Sequence, residues 1–266
     1  MGKTAPMASF SRPTLLVVGA GFLGREVARV ARDGGWDVIP VVRSEESATV
    51  LRKKFPKTVA SDALEAGFWT ALPKEVSGVV WAVAPSRERP KDDFEAMQRM
   101  GAVAAARWVR KKRVPYVYIS STSVYAEDGG AWVSEESPLA VEDPRSLAMV
   151  EAEQACVRAG GTVLRCAGLY GNERLLKPDT QGPERWLNLV EVKDAARAVG
   201  VALRYRGKIL NACEDQPRRR GRAGGTWPEG SRRARRNKRV SNGRLRALGW
   251  IPQGSPSDAE PSADLT

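Results

Sequence analysis

The sequence predicts an α/β fold: a doubly wound, mostly parallel sheet covered by helices, followed by a small, partly disordered C-terminal segment. Three observations carry this. Apolar runs of strand length alternate with helix-period segments from Thr14 to Asn211. The runs are continuously hydrophobic, as befits strands buried on both faces. The first of them enters a helix through a glycine-rich turn, Gly19-Ala-Gly21-Phe-Leu-Gly24.

In chain order, residues 1–12 read as a loose tail, and "TLLVV" as the first strand, its helix ending at Gly34–Gly35. "WDVIPVVRS" is the second strand, "EESATVLRKKF" an amphipathic helix and "KTVASDAL" a short third strand, with a helical turn around Phe68 and Trp69. "SGVVWAVAPS" is the fourth strand. "DDFEAMQRMGAVAAARWVRKKR" reads as one long helix with a basic last turn that suits the helix dipole. "PYVYISSTSVY" is the fifth strand. Asp143 is a good N-cap and Pro144 suits the first turn of the helix that follows, before a sixth strand in "GTVLRCAGLYG". "WLNLVEVKDAARAVGVALRY" holds a strand and a helix, "GKILNACED" a strand and "SNGRLRALGW" a short helix. The domain reading is a dinucleotide-binding unit over 13–211, its 186–211 part shared with a reduced C-terminal segment over 212–266. Within that segment, 216–236 and 252–266 are expected to lack ordered structure.

Composition narrows the function. Histidine is absent, which excludes Ser-His-Asp and Cys-His mechanisms and His-based metal sites; no metal site is expected. Cys156, Cys166 and Cys213 are odd in number and widely spaced, the pattern of reduced thiols in a cytoplasmic protein. No apolar run reaches the ~18 residues of a membrane span, and "MGKTAPMASF" lacks the apolar core of a secretory signal. The net charge of +12 is concentrated: Pro217–Arg246 holds twelve Lys or Arg and a single acid, Glu229. A solvated Arg-rich loop over 218–239 is the favoured reading, and a phosphate-contacting arm for nucleic acid is the less favoured one.

The glycine motif, set between a strand and a helix in the opening βαβ unit, predicts a Rossmann-type dinucleotide site. Gly19 permits the tight turn, Gly21 lets backbone amides reach a pyrophosphate, and Gly24 permits close helix–strand packing. Phe22 and Leu23 begin the helix whose positive end meets the phosphates. The second strand ends in Arg43, where an NAD site wants an acid. Arg43 suits a 2′-phosphate, so NADP(H) is favoured over NAD(H).

With GAGFLG, "ISSTSVY", "AEQ" and "VLRCAGLYG" in place, the sequence resembles the extended and atypical short-chain dehydrogenase/reductases, specifically the NAD(P)-dependent epimerase/dehydratase relatives. The resemblance covers about Thr14–Asn211. It implies that Asp62 contacts the adenine, that Ala82 to Pro85 (Ala82 and Val83 first) pass the nicotinamide side, and that Ser121 is the active-site hydroxyl. It also implies a nucleotide-sugar or other small-molecule substrate, and dimerisation through two long helices. The family's Tyr and Lys, four residues apart, fall on Arg145 and Met149 here, and no Tyr or Lys lies between Asp143 and Gln154. The polar "His-Val-Asp-Asp" of relatives is Glu191-Val-Lys-Asp194.

Two functions remain open on these residues. One is an NADP(H)-dependent oxidoreductase, epimerase or dehydratase with a rearranged site, in which Ser121 binds the substrate oxygen and Tyr125 or Tyr170 substitutes as proton donor. The other is a dinucleotide-binding protein without turnover, acting as a regulator or sensor.

Overall fold

The computed structural model describes residues 12–65, 67–73, 75–84, 93–171, 174–175, 183–221 and 237–254. The first half runs β1 (Thr14–Val18), α1 (Phe22–Asp33), β2 (Asp37–Val42), α2 (Glu45–Arg52), β3 (Val59–Ala60), α3 (Phe68–Ala71) and β4 (Gly78–Trp81). Next come α4 (Asp93–Ala96), a π-helical turn (Met97–Ala102), α5 (Val103–Lys112), β5 (Tyr116–Ser121), β6 (Trp132–Val133) and α6 (Pro144–Arg158). The rest is β7 (Thr162–Cys166), β8 (Gly168–Tyr170), β9 (Arg185–Leu187), β10 (Leu189–Glu191), α7 (Val192–Ala202), β11 (Ile209–Ala212), β12 (Arg218–Arg220), β13 (Arg239–Val240) and α8 (Gly243–Ala247).

Seven strands form one sheet in the order β11-β7-β5-β4-β1-β2-β3, every neighbouring pair parallel. The order reverses between β1 and β4, where open parallel sheets leave a crevice beyond the strands' carboxyl ends. Side-chain alternation sends Leu15 and Val17 to one face, among Val27, Ala195 and Val199. Leu16 and Val18 go to the other, among Ala105, Tyr116 and Tyr118. Both faces are buried, which is why β1 reads as an unbroken apolar run. Polar ends stop the helices where the sequence says they should. Ser44 caps α2 by accepting the Ser47 amide, and Asp143 caps α6 by accepting that of Ser146.

Three expectations are corrected. The helix expected as one piece after Asp92 widens into a π-turn at Met97–Ala102. There Gly101 lies against the fully buried Trp81, and a Cβ on it would stand 2.6 Å from the indole; the extra residue per turn makes room for that ring. The sixth strand is two: after Cys166 the chain leaves the main sheet, and β8 pairs with β10 instead. Finally, ordered structure enters the stretches expected to lack it. Arg218–Arg220 pair antiparallel with Arg185–Leu187, and the amides of Gln253 and Gly254 donate to the buried carboxylate of Asp194 at 2.8 and 2.7 Å. Both partners are remote in sequence, so local composition is blind to them. The remainder of those stretches, 222–236 and 255–266, lies outside the described residues.

The three cysteines are buried and unpaired, and burial pushes the Cys166 thiol up to about 12, as suits inert core thiols. Among the described residues no helix is long and apolar enough to cross a membrane.

Alanine at Gly101 tests the origin of the π-turn. Alanine gains ~1 kcal/mol of helix propensity, but overpacking a full core typically costs about 1–3 kcal/mol. Gly101→Ala is expected to lower the thermal unfolding midpoint; a midpoint at or above wild type refutes the packing account.

Candidate functional site

The glycine turn sits at the crevice between β1 and β4. Its amides at Gly19 and Ala20 donate to the Val41 carbonyl at 3.1 and 2.9 Å, and the Ala82 amide donates to Val18 at 2.8 Å. These bonds hold the ends of β2, β1 and β4 together, with Arg43 exposed two residues beyond Val41.

Each glycine is needed for a different reason. Gly19 has φ +90°, and a Cβ on it would stand 2.6 Å from the Val83 nitrogen, so the turn presses on the loop after β4. Gly24 lies under the turn, where a Cβ would be 2.3 Å from the Gly19 carbonyl oxygen. Gly21 meets nothing within 4 Å. It is the bare rim over which a ligand's phosphates can approach the backbone. Behind it α1 begins with no capping side chain and no acid in its first turn, unlike α2, so its positive end is left for an anion. Phe22 and Leu23 open that helix, and the Arg174 guanidinium lies 4.6 Å from the Phe22 ring centre, a cation that sequence reasoning missed. The residues present fit a dinucleotide cofactor.

The other predicted cofactor contacts line the same edge of the sheet. Asp62 follows β3, its carboxylate accepting the Leu64 amide at 3.0 Å. Ala82 and Val83 follow β4 and are partly buried, while Pro85 lies outside the described residues. Ser121 ends β5, and its Oγ accepts the Ser123 amide at 3.1 Å; acting there as acceptor, the hydroxyl can still donate.

Arg145 and Met149, where the family resemblance would put a Tyr and a Lys, lie on a packed surface. Arg145 lies over Phe94, its guanidinium carbon 3.9 Å from the ring centre. Met149 is buried with Phe94, Met97, Val124 and Val150, and Val83 packs against the same cluster. An ammonium there would be desolvated among hydrocarbon.

Both substitute tyrosines are buried, and their hydroxyls donate within the protein. Tyr125 is buried, and its hydroxyl donates to Asn211 Oδ1 at 2.7 Å. Burial pushes its pKa up in spite of the Arg165 guanidinium beside its ring. Tyr170 is buried as well and donates to the Glu214 carboxylate. Burial and that carboxylate push its pKa up also. A catalytic tyrosine needs the opposite shift. Tyr125 follows β5 and is bridged to Leu139.

Sequence reasoning also missed a buried polar network. Arg165 on β7 forms a two-pronged pair with Glu153 on α6 at 3.0 and 2.6 Å, and Ser120 donates to Glu153 at 2.5 Å. Burial alone would weaken the Arg165 charge, but the Glu153 hydrogen bonds outweigh that and hold it ionised. From Asn211 the network continues to Glu135 and to the Ser241 carbonyl, and the buried Lys238 ammonium donates to the Tyr125 carbonyl. The only sequence signal was an Arg inside an apolar strand and a Glu inside an otherwise apolar helix face.

The family model described as the NAD dependent epimerase/dehydratase family matches residues 15–193. No curated protein matches the chain. Among solved structures, UDP-glucose 4-epimerase from Thermotoga maritima with UDP-glucose aligns with a TM-score of 0.77 at 16% identity, covering 92% of this chain and 96% of that one. The Bordetella bronchiseptica enzyme WbmG in complex with NAD aligns with a TM-score of 0.77 at 13% identity, covering 95% and 93%. A functionally unknown conserved protein from Silicibacter pomeroyi aligns with a TM-score of 0.71 at 21% identity, covering 93% and 96%.

Two substitutions separate these roles. Because Gly21 faces open space, Gly21→Asp is expected to fold with an unchanged melting curve and to lose dinucleotide binding measured by calorimetry; retained affinity would discredit the site. Tyr125→Phe is expected to keep dinucleotide affinity while losing about 1–3 kcal/mol of stability, because Asn211 Oδ1 loses its donor. A fall in cofactor-dependent turnover of roughly 10²-fold or more with stability intact would restore Tyr125 as a catalytic group.

Proposed function

The chain belongs to the NAD dependent epimerase/dehydratase family, and from that premise we propose that it is a dinucleotide-binding member that has given up the family's Tyr/Lys proton transfer. The observation that carries the reading is Met149, buried with Phe94, Met97, Val124 and Val150 where a lysine would be needed. Arg145, stacked on Phe94, cannot exchange a proton usefully near neutral pH. The phosphates are held by the turn Gly19–Gly24 and the start of α1, with Asp62 toward the adenine and Ala82 and Val83 along the nicotinamide. When bound, the dinucleotide supplies hydride acceptance or donation at its nicotinamide ring. The chain's own residues bind and orient it, and the apolar cluster beside Val83 keeps water from that end.

NADP(H) is the cofactor we propose, on the strength of Arg43. It is exposed at the end of β2, next to a turn whose amides are tied to that strand, and a guanidinium there meets a 2′-phosphate with charge-assisted bonds. Calorimetry tests both parts. Wild type is expected to bind NADPH more tightly than NADH, and Arg43→Ala to weaken NADPH by about tenfold or more with little change in NADH, the size of one charge-assisted hydrogen bond. Equal losses for both cofactors would defeat the preference, and no binding of either would defeat the function.

Ser121 favours a second reading, slow redox chemistry on a nucleotide sugar. It ends β5 at the carboxyl edge of the sheet with a hydroxyl able to donate to a substrate oxygen. With simple carbonyl compounds NADPH oxidation, and with nucleotide sugars and NADP⁺ the conversion of the sugar, are expected not to exceed those of Ser121→Ala. A wild-type rate roughly 10²-fold above that variant would favour the enzyme.

A further inference from the structure

The Arg-rich C-terminal stretch is unused by the dinucleotide site, and part of it is ordered. Strand β12 lies against β9 with Arg219 opposite Trp186, and β13 lies against β6 with Arg239 opposite Trp132. Asn237 joins the two small sheets: its side chain accepts the Trp186 amide at 2.9 Å and its carbonyl accepts the Gly130 amide at 2.8 Å. The result is an alternating ladder of rings and guanidinium groups. The Arg239 carbon is 5.3 Å from the Trp132 ring centre and 5.2 Å from that of Trp186, and Arg219 is 5.4 Å from Trp186 on the other side. Trp132, at the end of the ladder, is 52% exposed. Arg218 and Arg220 flank Arg219 on the same strand. Among the described residues Glu184 lies 2.7 Å from Arg219 in an exposed ion pair, and Glu214 interacts with Arg218 on the same strand.

We propose that this ladder binds single-stranded nucleic acid, with an unpaired base on Trp132 and the phosphate backbone along Arg219 and Arg239. Exposed aromatic rings between cations suit a polyanion that also offers flat bases, since stacking is tolerant of sequence and guanidinium groups track phosphates. A duplex hides its base faces and leaves Trp132 without a partner. The charge matches: nearly all of the chain's excess of +12 lies between Pro217 and Arg246. Stacking on tryptophan also restrains each guanidinium plane, so less side-chain freedom is lost on binding.

Fluorescence anisotropy of a labelled oligouridylate tests this, with heparin as a baseless polyanion, a duplex of equal length and UDP as controls. Wild type is expected to bind the single strand with an affinity that falls steeply with salt. Trp132→Ala is expected to weaken it about tenfold while heparin binding and the melting curve stay unchanged. Arg219→Gln is expected to weaken both polyanions and lower the salt slope by about one. The proposal is overturned if the oligonucleotide does not bind at low salt, if Trp132→Ala binds it as wild type, or if Trp132→Ala weakens heparin and oligonucleotide equally. It is overturned too if the duplex binds as tightly, or if UDP competes at the strand's own affinity, which would make the ladder a mononucleotide site. NADPH affinity, measured on the same variants, is expected not to move.

Discussion

The pairing of Arg165 with Glu153 is the interaction on which the rest of this molecule hangs. Both side chains are almost wholly inside the protein, at 1% and 3% exposure. Taking two charges out of water costs several kcal/mol each, and only close geometry with further hydrogen bonds offsets it. Here Ser120 donates to the carboxylate, and the guanidinium also reaches the Glu135 carbonyl and the face of Tyr125. The pair therefore fixes α6 against β5 and β7, and through Tyr125 and Asn211 it orients the segment that crosses back from Lys238 to Ser241.

We propose that this arrangement separates a structural role of α6 from the catalytic one that the family resemblance implies for it. Its inner face, with Glu153, still organises the sheet. The turn bearing Arg145 and Met149 faces Phe94 and is hydrophobic packing. The glycine turn is held by the Val41 carbonyl and its own carbonyls, and it meets the Met149 cluster of α6 only through Val83. In the function we propose, cofactor binding rests mainly on the turn and can persist without the proton-transfer pair.

The sheet and the glycine turn were legible because their signals are local: a continuous apolar run, a helix cap, glycines at fixed spacing. Arg145 and Met149 were legible as residues of a helix, although not what surrounds them. Phe94 lies about fifty residues earlier, and its packing on them is a tertiary fact. The π-turn depends on Trp81 from another strand, and the break in the sixth strand on a partner some twenty residues later. The Arg-rich stretch misled most, since composition described its charge correctly but said nothing of Trp132 and Trp186, which give part of it a place to lie.

The central claim is that the dinucleotide site works while the family's proton transfer does not. Two portions of one preparation test both halves. The wild-type chain saturated with NADPH in the calorimeter is given a keto compound while the cofactor's near-ultraviolet absorbance is followed. The chain with NADP⁺ is given UDP-glucose while its sugar products are separated, and the sugar must stay unchanged. The account predicts saturable binding of one NADPH per chain and an absorbance that then stays level. Failure to bind, or oxidation of the bound cofactor at a rate abolished by Ser121→Ala, would contradict it.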